Sequence, residues 1–259
     1  MSEKNEFESH EILYGLAFDP NLIGSKLPSI PPFTFPTGST GSTGPTGLIS
    51  TNRIYVTNAN NNNVSMISGA TNAVISTIPV GSTTRGVGVN PSTNRIYITN
   101  ANNNNVSVIS GVANAVIATI SVGSSPVGVG VNPSTNLIYV TNANNDNVSV
   151  IDGLTNSVIK TISVGGAPVG VGVNPSTNQI YIANGYNNNV SVISGATNAV
   201  IATISVGINP VGVGVNPSTN LIYVTNLNSN SVSVIDGLTN SVITTIPVGN
   251  GPFGVGVNP

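Results

Sequence analysis

Cysteine and tryptophan do not occur in the 259 residues, and there is one histidine, His10. Without thiols there can be no disulfide framework, no thiolate nucleophile and no cysteine-ligated zinc. Charge is scarce as well: 5% of residues are Asp, Glu, Lys or Arg, and the formal net charge is −2. No basic patch is available for nucleic acid and no acidic run for a solvating tail, so neither is an expected partner. The apolar runs fall far short of the roughly 18 residues that span a bilayer, so no membrane partner is expected either. The opening stretch MSEKNEFESHE is acidic and lacks an apolar h-region. It is no secretory signal, which predicts synthesis and retention in a cytosol unless another route carries the protein outside.

Repetition is what the chain has instead. Tyr55, Tyr97, Tyr139, Tyr181 and Tyr223 each stand 42 residues after the last, in the phrases IYVTN, IYITN, IYVTN, IYIAN and IYVTN. Residues 50–259 divide into five such units. A period of about 40 to 45 residues suits a propeller blade of four strands and is too long for a leucine-rich repeat. In the unit beginning at Pro126, PVGVGV reads as a short extended run, LIYVTN as a second strand, VSVID as a third and SVIKTISV as a fourth. NPSTN, ANNDN and GLTN separate them as turns. The runs are rich in Val, Ile, Thr and Tyr, and nearly continuous apolar character fits sheets covered on both faces. The glycines of GVGV permit the close backbone approach that innermost strands need.

The predicted fold is therefore all-β: a five-bladed β-propeller with four strands per blade. Residues 53–80 supply only three strands of the first blade, and PFGVGV at 252–257 is the expected innermost strand that closes the ring from the other terminus. Closure of that kind removes unpaired sheet edges. The tyrosines alternate with Ile and Val on their strand, which predicts packing between blades.

The YVTN phrases, followed by NVSVIS or NVSVID and then TISVG, resemble the YVTN-type β-propeller repeat family over residues 50–259. That resemblance implies the propeller fold, more often with seven blades than five, and implies no activity, since propellers host unrelated functions.

Catalytic chemistry has little to work with in the repeats. The acids there are Asp146, Asp152 and Asp236, the bases Arg53, Arg85, Arg95 and Lys160, with no histidine or cysteine beside them. Asp152 and Asp236 open DGLTN turns where other units carry Ser68, Ser110 and Ser194, as turn starters do. No triad, phosphate loop or metal cluster is visible, and GVGVG lacks the strand–loop–helix context of a dinucleotide site. No catalytic, cofactor-binding or metal-binding residue is predicted, and the protein is expected not to be an enzyme.

The Asn-rich turns between second and third strands admit two readings. Asn tolerates left-handed turn geometry and bonds its own backbone. Alternatively the turns present amides to a glycan or a host surface, five weak sites gaining by avidity. Asn60, Asn102, Asn144, Tyr186 and Asn228 are the candidate ligand-contacting residues, Tyr186 being the one aromatic platform. Asn63, Asn105, Asn147 and Asn189 open NVS sequons, which strand and turn constraints explain equally well.

Before the repeats lie an acidic flexible stretch, 1–16, and then AFDPNLIGSKLPSIPPFTFPTG at 17–38. Its prolines exclude helix and central strand. Phe18, Leu22, Ile23, Leu27, Ile30, Phe33 and Phe35 are too apolar for an ordinary linker, so the segment is expected to order against a partner. Ala17 to Gly24, Leu27, Pro28, Ile30 to Thr34 and Pro36 to Gly38 are similar to the exosporium leader of the collagen-like spore-surface glycoproteins of the Bacillus cereus group; Ser25, Lys26, Ser29 and Phe35 depart from it. The resemblance implies targeting to the outermost spore layer after synthesis in the mother-cell cytosol, trimming near Ala17, and attachment to a basal-layer anchor protein. Phe18, Asp19, Pro20, Leu22, Ile23, Leu27, Ile30, Pro31, Pro32, Phe33 and Phe35 would make that attachment. Residues 39–49 continue with glycine at every third position, a short collagen-like spacer. In that family threonines of such triplets carry O-linked sugar, and Thr46 in GPTG matches the context.

Overall fold

The computed structural model describes residues 52–259. The leader-like segment 17–38, the spacer 39–49 and Thr46 lie outside the described residues.

Nineteen strands fall into five antiparallel sheets, each formed by strands consecutive in the chain. The first sheet has three, β1 (Arg53–Asn58), β2 (Asn63–Ser68) and β3 (Ala73–Pro79). The second holds β4 (Thr84–Asn90), β5 (Arg95–Asn100), β6 (Asn105–Ser110) and β7 (Ala115–Ser121). The third holds β8 (Pro126–Asn132), β9 (Leu137–Asn142), β10 (Asn147–Asp152) and β11 (Ser157–Ser163). The fourth holds β12 (Pro168–Asn174), β13 (Gln179–Asn184), β14 (Asn189–Ser194) and β15 (Ala199–Ser205). The fifth holds β16 (Pro210–Asn216), β17 (Leu221–Asn226), β18 (Ser231–Asp236) and β19 (Ser241–Pro247). The expected four-strand unit is present, strand for strand, in the last four sheets.

Turn chemistry explains the abundance of asparagine. Of the eighteen non-glycine residues with positive φ, fourteen are Asn, among them Asn94, Asn104 and Asn114 at the three hairpin turns of the second sheet. Left-handed backbone costs most residues roughly 1–2 kcal/mol, and Asn reduces that by bonding locally.

The sheets stack in sequence order in a propeller-like row. Their first strands lie side by side: β4 beside β8, β8 beside β12, β12 beside β16. Apolar clusters fill the spaces between sheets. In one of them Tyr139, Val148, Val150 and Ile162 of the third sheet pack on Ile180, Ile182 and Ile193 of the fourth. Tyr55, Tyr97, Tyr139 and Tyr181 are thus inter-sheet packing groups, as their alternation predicts. Glycine is required where the first strands adjoin: a Cβ at Gly128 would run into the backbone carbonyl of Val169, and one at Gly130 into the side chain of Val171.

The two ends of the row differ from the expectation. Residues 252–257 form no strand, and among the described residues no ladder joins them to β1. They lie against β16 and β17 instead, where Thr225 Oγ1 donates to Phe253 O at 2.9 Å and Gly212 and Gly214 face Phe253, Val255 and Val257. That is the place β8 holds relative to β4. β1 remains an edge, and Ile54 and Val56 are 43% and 42% exposed where their counterparts Ile96 and Ile98 are fully buried.

Candidate functional site

Two regions bear on ligand binding: the cavity along the first strands, and the turns between second and third strands.

The cavity has a volume of about 800 Å³ and is lined by Gly and Val of β4, β8, β12 and β16, by Phe253 to Val255, and by Thr57, Ala59 and Asn60. One position of each first strand forms a row, Arg85, Val127, Val169, Val211 and Phe253, and Arg85 is the one charged lining residue. A hydroxyl latch runs behind this wall. Thr99 Oγ1 accepts from Gly86 N at 2.7 Å and donates to Val127 O of the next sheet at 2.8 Å. Thr141 repeats the arrangement with Gly128 N and Val169 O, and Thr225 with Gly212 N and Phe253 O. Thr57 donates to Arg85 O at 2.8 Å. The latch fills a break in the ladder, since the pairing of β4 with β5 skips between Thr84 and Val87. Sequence reasoning passed over these threonines, although the T of YVTN was the signal; Ala183 in the fourth sheet is the exception to it.

In the turns, most of the asparagines are already engaged. Asn62, Asn104, Asn188 and Asn230 accept through Oδ1 from the backbone N–H of Thr83, Ser125, Asn209 and Gly251 at 2.9–3.0 Å. Asp146 does the same for Ala167 at 2.9 Å, so its carboxylate is a structural staple. Asn103, Asn145 and Asn187 accept from the N–H of Ser82, Ser124 and Gly166. Asn58, Asn100, Asn142 and Asn184 donate through Nδ2 to Asn63, Asn105, Asn147 and Asn189 at 2.7–2.8 Å, which ties the sequon asparagines into the turns. Among the described residues the candidate side chains make no such bond. Asn60, Asn102, Asn144, Tyr186 and Asn228 are exposed, Tyr186 at 85%, each on its own sheet's turn; the structure does not gather them into one pocket.

The remaining acids of the described residues are accounted for locally. Asp152 and Asp236 accept from Leu154 N and Leu238 N at 2.7 and 2.8 Å, the turn role their position predicts. Arg53 donates to Gly111 O at 2.6 Å and to Asn114, and Arg95 donates to Gly153 O, so both tie one sheet to the next. Burial pushes the phenols of Tyr139 and Tyr181 up to about 12, with Asp236 adding to the effect at Tyr181. Among the described residues no group of three His, Cys, Asp or Glu comes together as a metal site. The chemistry these surfaces offer is hydrogen bonding by amides and hydroxyls, apolar contact, and one cation at Arg85.

No protein-family model matches the chain, and no curated protein matches it. Its likeness is to solved structures of low sequence identity. A functionally unknown protein from Desulfotomaculum acetoxidans DSM 771 aligns with a TM-score of 0.68 and 17% identity, covering 78% of this chain and 68% of that one. Hydrazine synthase of Kuenenia stuttgartiensis aligns with a TM-score of 0.59 and 16% identity, over 79% of this chain and 86% of that one. At such identities the likeness is one of fold, a repeat of antiparallel sheets, and carries no activity across.

Proposed function

We propose that this chain is a non-enzymatic structural or display protein of the spore's outermost layer, the exosporium, held there by its N-terminal segment. The observation that carries the reading is the leader-like stretch 17–38, where proline and aromatic residues recur in the order of the exosporium leader. Its apolar side chains are the ones to bury against a basal-layer anchor protein, and Thr46 is the residue to carry O-linked sugar. The repeats are then blades of a YVTN-type, five-bladed β-propeller, with residues 252–257 serving as the inner strand of the first blade. Support for a display role comes from the composition of the repeats: almost uncharged, with their acids, Arg53 and Arg95 engaged in turns and inter-sheet ties.

The test separates address from cargo. Residues 1–38 fused to a fluorescent reporter and made during sporulation should coat the spore, and Ile30→Ser/Phe33→Ser/Phe35→Ser should weaken deposition. Residues 48–259 alone should stay in the mother cell. Arrival of the repeats alone at the spore surface, as efficiently as the full chain, would overturn the assignment.

A glycan-binding adhesin is the second reading, favoured by the row of exposed, uncommitted side chains Asn60, Asn102, Asn144, Tyr186 and Asn228. Binding on a glycan array that is lost in Tyr186→Ala would support it.

A further inference from the structure

Each of the four interfaces between consecutive sheets joins two unlike halves. A trailing face of Tyr55, Val64, Met66 and Ile78 packs on a leading face of Ile96, Ile98 and Ile109, and this division recurs in the other three. Among the described residues the leading face of the first sheet is bare: Ile54 and Val56 are 43% and 42% exposed, and Ile67 is half-buried where Ile109, Ile151 and Ile193 are fully buried. At the last sheet the trailing face is partly bare: Val234 is buried, but Ile246 is 43% exposed where Ile78, Ile120, Ile162 and Ile204 are buried. Tyr223 and Val232 are likewise only half-buried, unlike their equivalents. These are the two halves of the interface that the molecule builds internally four times.

The polar ties are complementary as well. Asn90, Asn132 and Asn174 donate through Nδ2 to Asn136, Asn178 and Asn220 of the following sheet at 2.7–2.8 Å. Asn216 is the next donor in this series, and Asn52, exposed beside the first sheet, occupies the acceptor's place in its own repeat. In the row Arg85, Val127, Val169, Val211, Phe253, only the two outermost positions depart from Val. Continuing the row past Phe253 into the first sheet brings its ring next to Arg85, an aromatic face for a guanidinium.

We infer that a second copy of this chain covers each bare face: the fifth sheet and residues 252–257 of one copy seat on the first sheet of the next. This rests on the reading of residues 252–257 as the missing inner strand of the first sheet. The register follows from β16 on β17, where Val213 pairs with Val224 and Val215 with Ile222. One repeat on, Val255 stands opposite Val56 and Val257 opposite Ile54 of the neighbouring copy. Within one chain residues 252–257 lie on β16 and β17, and among the described residues no ladder joins them to β1. Because the two faces differ, the contact is head to tail, and it propagates into a ring or a filament.

The absence of native cysteine makes the test clean. Val56→Cys and Val255→Cys are made in separate full-length chains, mixed and mildly oxidised; directly paired residues have Cα atoms about 4.5–5.5 Å apart, within disulfide reach. A crosslinked dimer that forms only in the mixture, more strongly at higher protein concentration, is the expected result. No dimer in the mixture overturns the inference. The double variant in one chain then tells which step failed: a crosslink at monomer mass keeps the strand reading and places closure within the chain, and no crosslink at all removes the strand reading too. Gly254→Ala is the structural control. A Cβ there meets nothing within 4 Å in one chain, whereas at Gly86, Gly128, Gly170 and Gly212 it would strike the carbonyl of the next first strand. In the Val255→Cys chain it should leave the melting curve unchanged and lower the dimer yield about tenfold or more. An undiminished yield overturns the inference.

Discussion

At the residue scale the repeated unit is held by side chains that serve the backbone. Asn104 shows how: with φ near 53° it makes the turn, and its Oδ1 takes the N–H of Ser125 in the next unit at 3.0 Å. Its preference for left-handed turns was legible from the sequence, and the cross-unit staple was not, because its partner lies 21 residues away across a sheet boundary. The buried tyrosines carry a pH prediction. Burial holds the Tyr139 and Tyr181 phenols at about 12, above the ordinary value of 10.0. The folded chain therefore keeps protons that the unfolded chain releases, so the stability these groups contribute is full below about pH 10 and is lost as pH rises through about 12. The melting temperature should be level from neutral pH to about 9 and fall above about 10, with phenolate absorbance appearing as the fold is lost. Tyr139→Phe/Tyr181→Phe should flatten that fall. A melting temperature unchanged up to about pH 12 would contradict the assignment.

At the element scale the first strands are joined by two devices, glycines that let backbones touch and threonines that bridge the ladder break. The fourth sheet lacks the second device, because Ala183 stands where Thr99, Thr141 and Thr225 stand elsewhere. Gly170 N and Val211 O there lie in the positions that Thr141 bridges one sheet earlier at Gly128 N and Val169 O. Ala183→Thr should restore the latch and stabilise the chain by about 0.5–1.5 kcal/mol, the net worth of a hydrogen bond. Urea unfolding measures it: the midpoint should rise with no change in slope. A lower midpoint would show that the buried site has no room for the hydroxyl.

At the scale of the whole molecule, the main contacts between the described sheets run from each to its neighbours in the row, so stability is approximately a sum of sheets and shared interfaces. Excising residues 126–167 joins Ser125 to Pro168 and leaves four sheets with every remaining interface of the same kind. The product should fold cooperatively, with a urea slope lower by about a fifth, in proportion to the surface lost. Failure to fold would mean that the five sheets stand or fall as one closed unit.

The strands, their order within a sheet, the 42-residue period and the apolar faces were determined by the sequence itself. Alternation and turn residues act over a few positions, and each unit states them again. The roles of Asp152 and Asp236 as turn acceptors were legible for the same reason. Tertiary structure alone decided which asparagines remain uncommitted, that Asp146 is a staple, and that Arg53 and Arg95 tie neighbouring sheets. It also decided that residues 252–257 continue the row beyond β16 and leave β1 an edge. Those outcomes depend on the spacing and rotation accumulated from sheet to sheet, and units so nearly alike contain no local signal of where that sum brings the ends.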